Sequence, residues 1–383
     1  MGKMIYLDNA ATTGKKPESV IQAVNEAMVN LSVNAGRGSY ASARKAAQVM
    51  DECRNNLLKV GKITSGYHAY FLPSATIALN QLILGLELDQ YSTVYVSPFE
   101  HNAVMRPLNA MCRKTGARTE ILPFVRQTWK LDAEETESMF LTQRPDYIFI
   151  SMVSNTTGYI LPVEEIVRAA HEYGAKVIVD CAQAFGAIDI SFEKIDADAY
   201  VFAGHKTLYG PYGIAGLIIK DSFQMIPGLY GGTGSDSLNL EMPTPHAGGY
   251  EPGSANVPAI CGLNAALKWI ESVGVENIQE HEKKLITYFE ERVQKCERIK
   301  LFLPPTDCRS SIVAFAVEGY QSHEVGEILD DEFQIAVRTG YQCAPLVHDW
   351  LGTKPYAGIV RMSVGFFNTV DDVIQIAEAI KTL

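Results

Sequence analysis

The sequence predicts an α/β protein with a mostly parallel sheet and helices on both faces, followed by a smaller α+β unit. Three observations predict it. From about residue 65 to 220, short apolar runs alternate with stretches of helical spacing, the pattern of a wound parallel sheet. Several of those runs stop at small or polar residues, as strands of an open sheet do where they reach its edge. Beyond residue 255 the alternation gives way to two long helical patterns and then a mixed set of strands and helices. The expected division is a large domain over 15–255 and a small α+β domain made from 1–14 and 256–383.

Taken in order, Tyr6-Leu-Asp-Asn-Ala-Ala-Thr-Thr13 is small and polar and leads into a helix. Pro17 falls in its first turn, where a missing N–H costs nothing. Val20, Ile21, Val24, Ala27, Met28 and Leu31 then repeat at helical spacing. Asn34-Ala-Gly-Arg-Gly-Ser39 breaks the pattern, and a second helix runs through Ala43, Ala47, Met50, Leu57 and Leu58 to end near Gly61. Residues 67–72 read as a strand, Pro73-Ser-Ala-Thr76 as a turn, and 77–86 as a strongly apolar helix. The first backbone N–H groups of a helix lack helical partners, so this junction could take an anion. Ser and Thr there are equally ordinary caps, so the junction gains meaning only beside a residue that holds a cofactor.

Residues 93–96 form the next strand, ending near Pro98-Phe-Glu-His101, and 117–122 another. Asp132 with Glu135 makes a capping box for a helix to about Leu141. A buried strand over 147–153 runs into Ser154-Asn-Thr-Thr-Gly158, and a helix over 162–173 stops at Gly174. The apolar run 175–179 ends in Asp180. The run 199–203 ends at Gly204, with His205 and Lys206 in the turn, and 214–220 is apolar again. Residues 228–253, rich in Gly, Ser, Pro and Thr, read as a long functional loop or an arm between subunits. Helices follow over 258–273 and 276–296, the second with Leu285, Phe289 and Val293 on one face. The smaller unit has strands at 312–317, 335–338 and 359–364 and a helix at 323–333. Its last helix starts near Asp371, where Asp371, Asp372 and Lys381 suit the helix dipole.

With 383 residues, 47% of them hydrophobic, the chain can bury a large core. A net charge of −11 without a basic stripe is wrong for a binder of phosphate backbones, so no nucleic acid is expected. No apolar run approaches the roughly 20 residues of a membrane span. Met1-Gly-Lys-Met-Ile-Tyr6 does not resemble a secretory signal. Seven scattered cysteines with no CxxC pair argue against a zinc ribbon, a disulfide framework or any metal site. They suit a reduced, cytoplasmic setting in which most thiols are small core hydrophobes.

Four strand ends deliver polar groups: His101, Asn155, Asp180 with Gln183, and His205 with Lys206. A Lys able to form a Schiff base and an Asp able to face a pyridinium nitrogen are what a pyridoxal phosphate site needs. A salt bridge between two strand ends would use the same pair, and the two residues alone do not separate the readings. Cys343, in Arg338-Thr-Gly-Tyr-Gln-Cys-Ala-Pro345, should lie on an exposed loop. Exposed thiols near positive charge are the reactive ones, and Arg338, His348 and Arg361 are candidate sources. Arg361 is a charge inside an apolar strand; it should pair with a carboxylate, either internal or the substrate's.

In order and spacing, Tyr-Leu-Asp-Asn-Ala-Ala-Thr-Thr, Asn-Ala-Gly-Arg-Gly, Ser-Ala-Thr, Glu-His-Asn-Ala, Ser-Asn-Thr-Thr-Gly, Asp-Cys-Ala-Gln, Gly-His-Lys and Arg-Thr-Gly-Tyr-Gln-Cys-Ala resemble one family almost end to end. It is the class V aminotransferase type of fold-type I pyridoxal phosphate enzyme, and within it the cysteine desulfurase and selenocysteine lyase branch. The resemblance implies pyridoxal 5'-phosphate as cofactor, held in the large domain as a Schiff base of Lys206. Asp180 would pair with the pyridine nitrogen, Gln183 with the ring hydroxyl, and His101 would stack on the ring. Ala75, Thr76 and His205 would hold the phosphate. Asn155, beside the cofactor, and Arg361 would receive the substrate carboxylate, with Asn9 and Ala10 lining that end. Lys206, His101 and Cys343 would be catalytic, Cys343 as the sulfur acceptor.

The resemblance also implies a homodimer in which Glu251-Pro-Gly-Ser-Ala-Asn256 reaches the partner's site, with Ser254 at the phosphate where the family usually has Thr. Ala203 stands where many members carry a Ser, and Asn102 where a second His is frequent. The implied reaction removes sulfur from L-cysteine through a persulfide on Cys343, gives L-alanine, and passes the sulfur to an acceptor protein. The alternatives are a selenocysteine lyase, a cysteine sulfinate lyase or an aminotransferase on another amino acid, in which Cys343 is a bystander, or a catalytically idle scaffold.

Overall fold

The computed structural model describes residues 4–35, 38–235, 237–245 and 248–383. Gly36 and Arg37 of the Asn-Ala-Gly-Arg-Gly segment, and Asp236, His246 and Ala247 of the long loop, lie outside the described residues. The order begins β1 (Ile5–Tyr6), α1 (Glu18–Asn30), α2 (Ala41–Val60), β2 (Tyr67–Leu72), α3 (Ala75–Leu84), β3 (Thr93–Val96), α4 (Asn102–Thr115) and β4 (Arg118–Ile121). It continues with α5 (Ala133–Thr142), β5 (Tyr147–Ser151), α6 (Val163–Glu172), β6 (Lys176–Asp180), α7 (Phe192–Ile195), β7 (Ala199–Ala203) and β8 (Ala215–Lys220). Pro17 stands just outside α1, at its cap, rather than within its first turn.

Seven of these strands form one sheet in the order β2-β8-β7-β6-β5-β3-β4. The run from β7 to β4 is parallel, while β8 is antiparallel to both β7 and β2. Strand alternation divides the sheet's side chains between two cores. Val94, Val96, Phe149, Ile178 and Val201 pack into one, and Tyr95, Ile148, Ile150, Val177, Val179 and Tyr200 into the other. Covering on both faces explains why these strands read as unbroken apolar runs.

The chain then forms α8 (Val257–Val273), α9 (Val275–Val293), β9 (Ile299–Leu301), β10 (Ile312–Val317), α10 (Ser322–Phe333), β11 (Ile335–Ala336) and β12 (Arg338–Gly340). It closes with α11 (Val347–Leu351), β13 (Ile359–Ser363) and α12 (Val370–Lys381). A four-stranded antiparallel sheet, β12-β13-β10-β9, shares a third core with α9 and α12 through Phe289, Phe315, Val360, Met362 and Ile376. The strand expected over 335–338 is divided. β11 pairs in parallel with the N-terminal β1, and β12 joins the four-stranded sheet. The N-terminal stretch is thereby tied to the C-terminal sheet, and the bridge Asp8↔Ser363 extends the attachment. Among the described residues between β8 and α8 there is no α-helix or β-strand. No helix of the described residues is long and apolar enough to cross a membrane.

Candidate active site

The strands β2, β3, β5, β6 and β7 run the same way, so their carboxyl ends open on one edge of the large sheet. The turns that follow carry Ala75, Thr76, His101, Asn155, Asp180, Gln183, His205 and Lys206 around a single cavity. Cys343, Arg361, Asn9 and Ala10 lie outside this wall, and Ser254 lies in a different cavity with Arg54, Phe71 and Glu251.

Each wall residue is positioned by local structure. Ser74 caps α3, its hydroxyl accepting the Ile77 N–H at 3.2 Å, so the first amides of that helix have no intrahelical partner. His101 caps α4: Nδ1 accepts the Ala103 N–H at 3.0 Å, which places the ring proton on Nε2. Burial, reinforced by Lys206 and Arg338, pushes its pKa down to about 4, so it is a neutral ring near pH 7. Asp180 is buried at the end of β6, with Oδ1 accepting the Ala182 N–H at 2.9 Å. Burial raises its pKa, against the pull of that amide and of Lys206. Gln183 donates through Nε2 to the Ala10 carbonyl at 2.7 Å.

Lys206 follows the end of β7. Burial pushes its amine down to about 8; Asp180 opposes that, and Arg361 and Arg338 add to it. His205 stacks on Tyr212 with centroids 4.4 Å apart, and its Nδ1 is buried without a hydrogen-bond partner. Burial, with Lys206 and Lys16 nearby, pushes His205 down to about 4.

The substrate-end candidates are already engaged. Arg361, almost wholly buried, donates through Nη2 to Asp8 Oδ1 at 2.6 Å and through Nη1 to the Asn155 carbonyl at 2.8 Å, while its Nε has no partner. An internal carboxylate, from Asp8, thus already takes one guanidinium nitrogen of Arg361, and Nε remains open. Asn9 donates through Nδ2 to Ser363 O and Asn368 Oδ1, each at 3.0 Å, and accepts the Gly14 N–H at 3.2 Å. The Ala10 N–H donates to Ser363 Oγ at 2.9 Å.

Cys343 is exposed on the loop after β12, as expected. Only Cys53 and Cys181 of the seven thiols are buried; four others are half-buried, so the core accounts for fewer than composition suggested. Arg338 Nη2 stands 3.5 Å from Cys343 Sγ. His348 is not a source of charge. The Tyr341 carbonyl can only accept, so Nε2 donates to it at 2.8 Å and Nδ1 accepts the Thr353 hydroxyl at 2.7 Å. Burial lowers its pKa and keeps it neutral. Arg338→Ala is accordingly expected to slow alkylation of Cys343 by iodoacetamide at neutral pH about two- to fivefold, the worth of one exposed charge contact. Peptide mass spectrometry reads the rate, and an unchanged rate would assign the thiol another partner.

Sequence reasoning missed two buried acids. Glu100, next to His101 in sequence, accepts the Ser97 hydroxyl at 2.5 Å and the Ser151 N–H at 2.7 Å, joining the ends of β3 and β5. Burial pushes it up to about 8. Glu282 on α9 is pushed up to about 8 in the same way and accepts the Tyr209 hydroxyl at 3.2 Å. Tyr209 Oη accepts the Phe366 N–H at 2.7 Å, which links the Lys206 turn to the loop after β13. The signal for Glu100 was its place beside His101 at a strand end; nothing local marked Glu282.

The profile of the family described as Aminotransferase class-V matches residues 5–376 of this chain. A protein named cysteine desulfurase from an Enterobacter species (strain 638) is 30% identical, over 99% of this chain and 93% of its own length. Another of that name, from Haloferax volcanii, is 29% identical over 98% of this chain and 88% of its own. Among solved structures, the apo form of a cysteine desulfurase from Thermococcus onnurineus NA1 superposes with a TM-score of 0.90 at 28% identity, covering 99% of this chain and 94% of that one. The cysteine desulfurase CsdA of Escherichia coli gives 0.86 at 27% identity with the same coverage, 99% and 94%.

Proposed function

This chain belongs to the aminotransferase class-V family, and we propose that within it the chain is a cysteine desulfurase that uses pyridoxal 5'-phosphate to take sulfur from L-cysteine, leaving L-alanine. The observation that carries this reading is the meeting of Lys206 and Asp180 in one cavity, with the exposed Cys343 thiol on the loop that Arg338 and Asn155 bind. Desulfurases at about 30% identity over nearly the whole chain support it.

The cavity suits the cofactor on its own chemistry. An anion would satisfy both the orphaned His205 Nδ1 and the open amides at the start of α3, as phosphate does. Asp180 offers a buried carboxylate to a pyridine nitrogen, and Gln183 and the neutral His101 line the space between. When bound, pyridoxal phosphate supplies the sink for the electron pair freed at the substrate Cα.

The chain's own residues do the rest. Lys206 would hold the cofactor through its amine, and the same amine would carry the Cα proton. Asp180 holds a proton on the ring nitrogen. Arg361 and Asn155 seat the substrate carboxylate. The Cys343 thiolate attacks the substrate's sulfur, forming an S–S bond as the C–S bond breaks. The electron pair of the broken bond stays with the carbon skeleton, which is protonated and leaves as alanine, so Cys343 is left as a persulfide. Arg338 Nη2 stands beside the attacking sulfur.

Two-fold pairing of chains completes this reading. Leu238 and Leu240 are wholly exposed on the segment before Ser254, which itself is exposed, and an apolar arm of that kind is suited to a second copy. The proposal includes the division at residues 255 and 256, supported by the separate seven-stranded and four-stranded sheets. It also includes a sulfur-acceptor protein that meets the exposed Cys343, and a cytoplasmic setting consistent with seven free thiols. Purified protein given L-cysteine and a reductant should yield alanine and sulfide in equal amounts, and far less sulfide without reductant. Pyruvate and ammonia in place of alanine, or no product, would overturn the proposal.

A further inference from the structure

The loop that carries Cys343 offers two backbone carbonyls to the edge of the large sheet, and both are taken. The Asn102 N–H donates to Cys343 O at 2.7 Å. Asn155 Nδ2 donates to Gln342 O, also at 2.7 Å. Between them the backbone is bent into the left-handed region, with φ of 49° at Gln342 and 57° at Cys343. Residues with side chains hold such a conformation when their surroundings impose it, and these two bonds are the imposition. The thiol is thus docked, not loose.

Asn155 has two claims on it. Its backbone carbonyl accepts from Arg361 Nη1, which ties the residue to the guanidinium. Arg361 Nε is buried without a partner, an open donor beside the groups that Arg361 already holds. A carboxylate would answer the open Nε and would also reach for the Asn155 amide. A charged acceptor bonds about twice as strongly as a neutral carbonyl, so it outcompetes Gln342 O for that amide.

We propose that Asn155 is a positioning residue for the thiol loop: without substrate it pins Gln342 O and keeps Cys343 docked, and an amino-acid carboxylate arriving at Asn155 and Arg361 takes its amide and frees the loop to travel. The inference rests on the substrate reading given above. It explains how a thiol outside the cavity wall is released only when an amino acid is bound.

The Asn102 amide reports the event. It is the first residue of α4, has no intrahelical partner, and is shielded by Cys343 O. Hydrogen exchange at Asn102 is measured in the holoenzyme with saturating L-alanine, which has the carboxylate but no sulfur, and with ethylamine, which has the amine alone. Each is raised until the cofactor's absorbance reports it bound. Alanine should speed Asn102 exchange about five- to tenfold, the worth of one hydrogen bond, and ethylamine should leave it unchanged. In Asn155→Ala, exchange should be fast from the start and indifferent to alanine. Unchanged exchange with alanine bound, equal acceleration by ethylamine, or a full alanine response in Asn155→Ala would each overturn the proposal. Absence of any absorbance response to alanine would instead overturn the substrate reading beneath it. The wild-type comparison needs no variant, so poor folding of Asn155→Ala does not shelter the idea.

Discussion

Lys206→Ala is expected to lower alanine formation from L-cysteine about a thousandfold or more. The substitution removes two functions at once, the covalent anchor and the carrier of the Cα proton; the second alone is worth about 10² to 10⁴ in rate. The same amine gives the account a pH signature. Burial at the end of β7 brings Lys206 down to about 8, with Asp180 holding it up against that trend. Only the uncharged amine attacks an aldehyde. Near neutral pH about one such amine in ten is free, against about one in a few thousand for an ordinary lysine. Capture of pyridoxal phosphate by the apoprotein should therefore accelerate as pH rises through about 8 and level off above it. Asp180→Asn takes away the carboxylate that favours the ammonium, so the midpoint should move lower. Stopped-flow absorbance reads both; a midpoint near that of free lysine would contradict the burial argument.

Cys343→Ser is expected to cut sulfide release from L-cysteine about a hundredfold or more while leaving the cofactor's absorbance unchanged. A serine hydroxyl is scarcely ionised at neutral pH, whereas a thiol supplies a competent nucleophile. The side chain is exposed and lies outside the cavity wall, so neither cofactor seating nor folding depends on it. Exposed substitutions of this kind usually change stability by less than about 0.5 kcal/mol. Measuring alanine, sulfide and absorbance on one preparation separates the possibilities. Retained sulfide and alanine would make Cys343 a bystander and return the chain to the lyase or aminotransferase alternatives.

Much of the fold was legible because parallel strands buried on both faces leave a strong mark. The runs that became β5, β6 and β7 are mostly apolar and almost wholly buried, and polar residues stand at or just past their ends. β1 left no such mark, since two residues cannot display a period of two, and its pairing with β11 spans most of the chain. The break between β11 and β12 was invisible for a related reason: the strand run is continuous in sequence, and only its change of partner divides it.

The site divides along the same line. Lys206, Asp180, His101 and Asn155 could be found because each stands just past a strand in the chain's own order. The pairings among them could not. Arg361 finds Asp8 across the whole length of the molecule, and Asn155 finds Gln342 by backbone geometry that no residue identity encodes. His348 looked like a charge beside Cys343; its neutral role as a clamp on Tyr341 depends on burial, which the sequence around it does not display.

The most direct measurement reduces the holoprotein with borohydride, fixing the cofactor to whichever amine holds it, and maps the label by peptide mass spectrometry. The account predicts the label on the peptide containing Lys206, and none there in Lys206→Ala. A label on Lys16 or another lysine, or a fully coloured protein that takes no label, would contradict it.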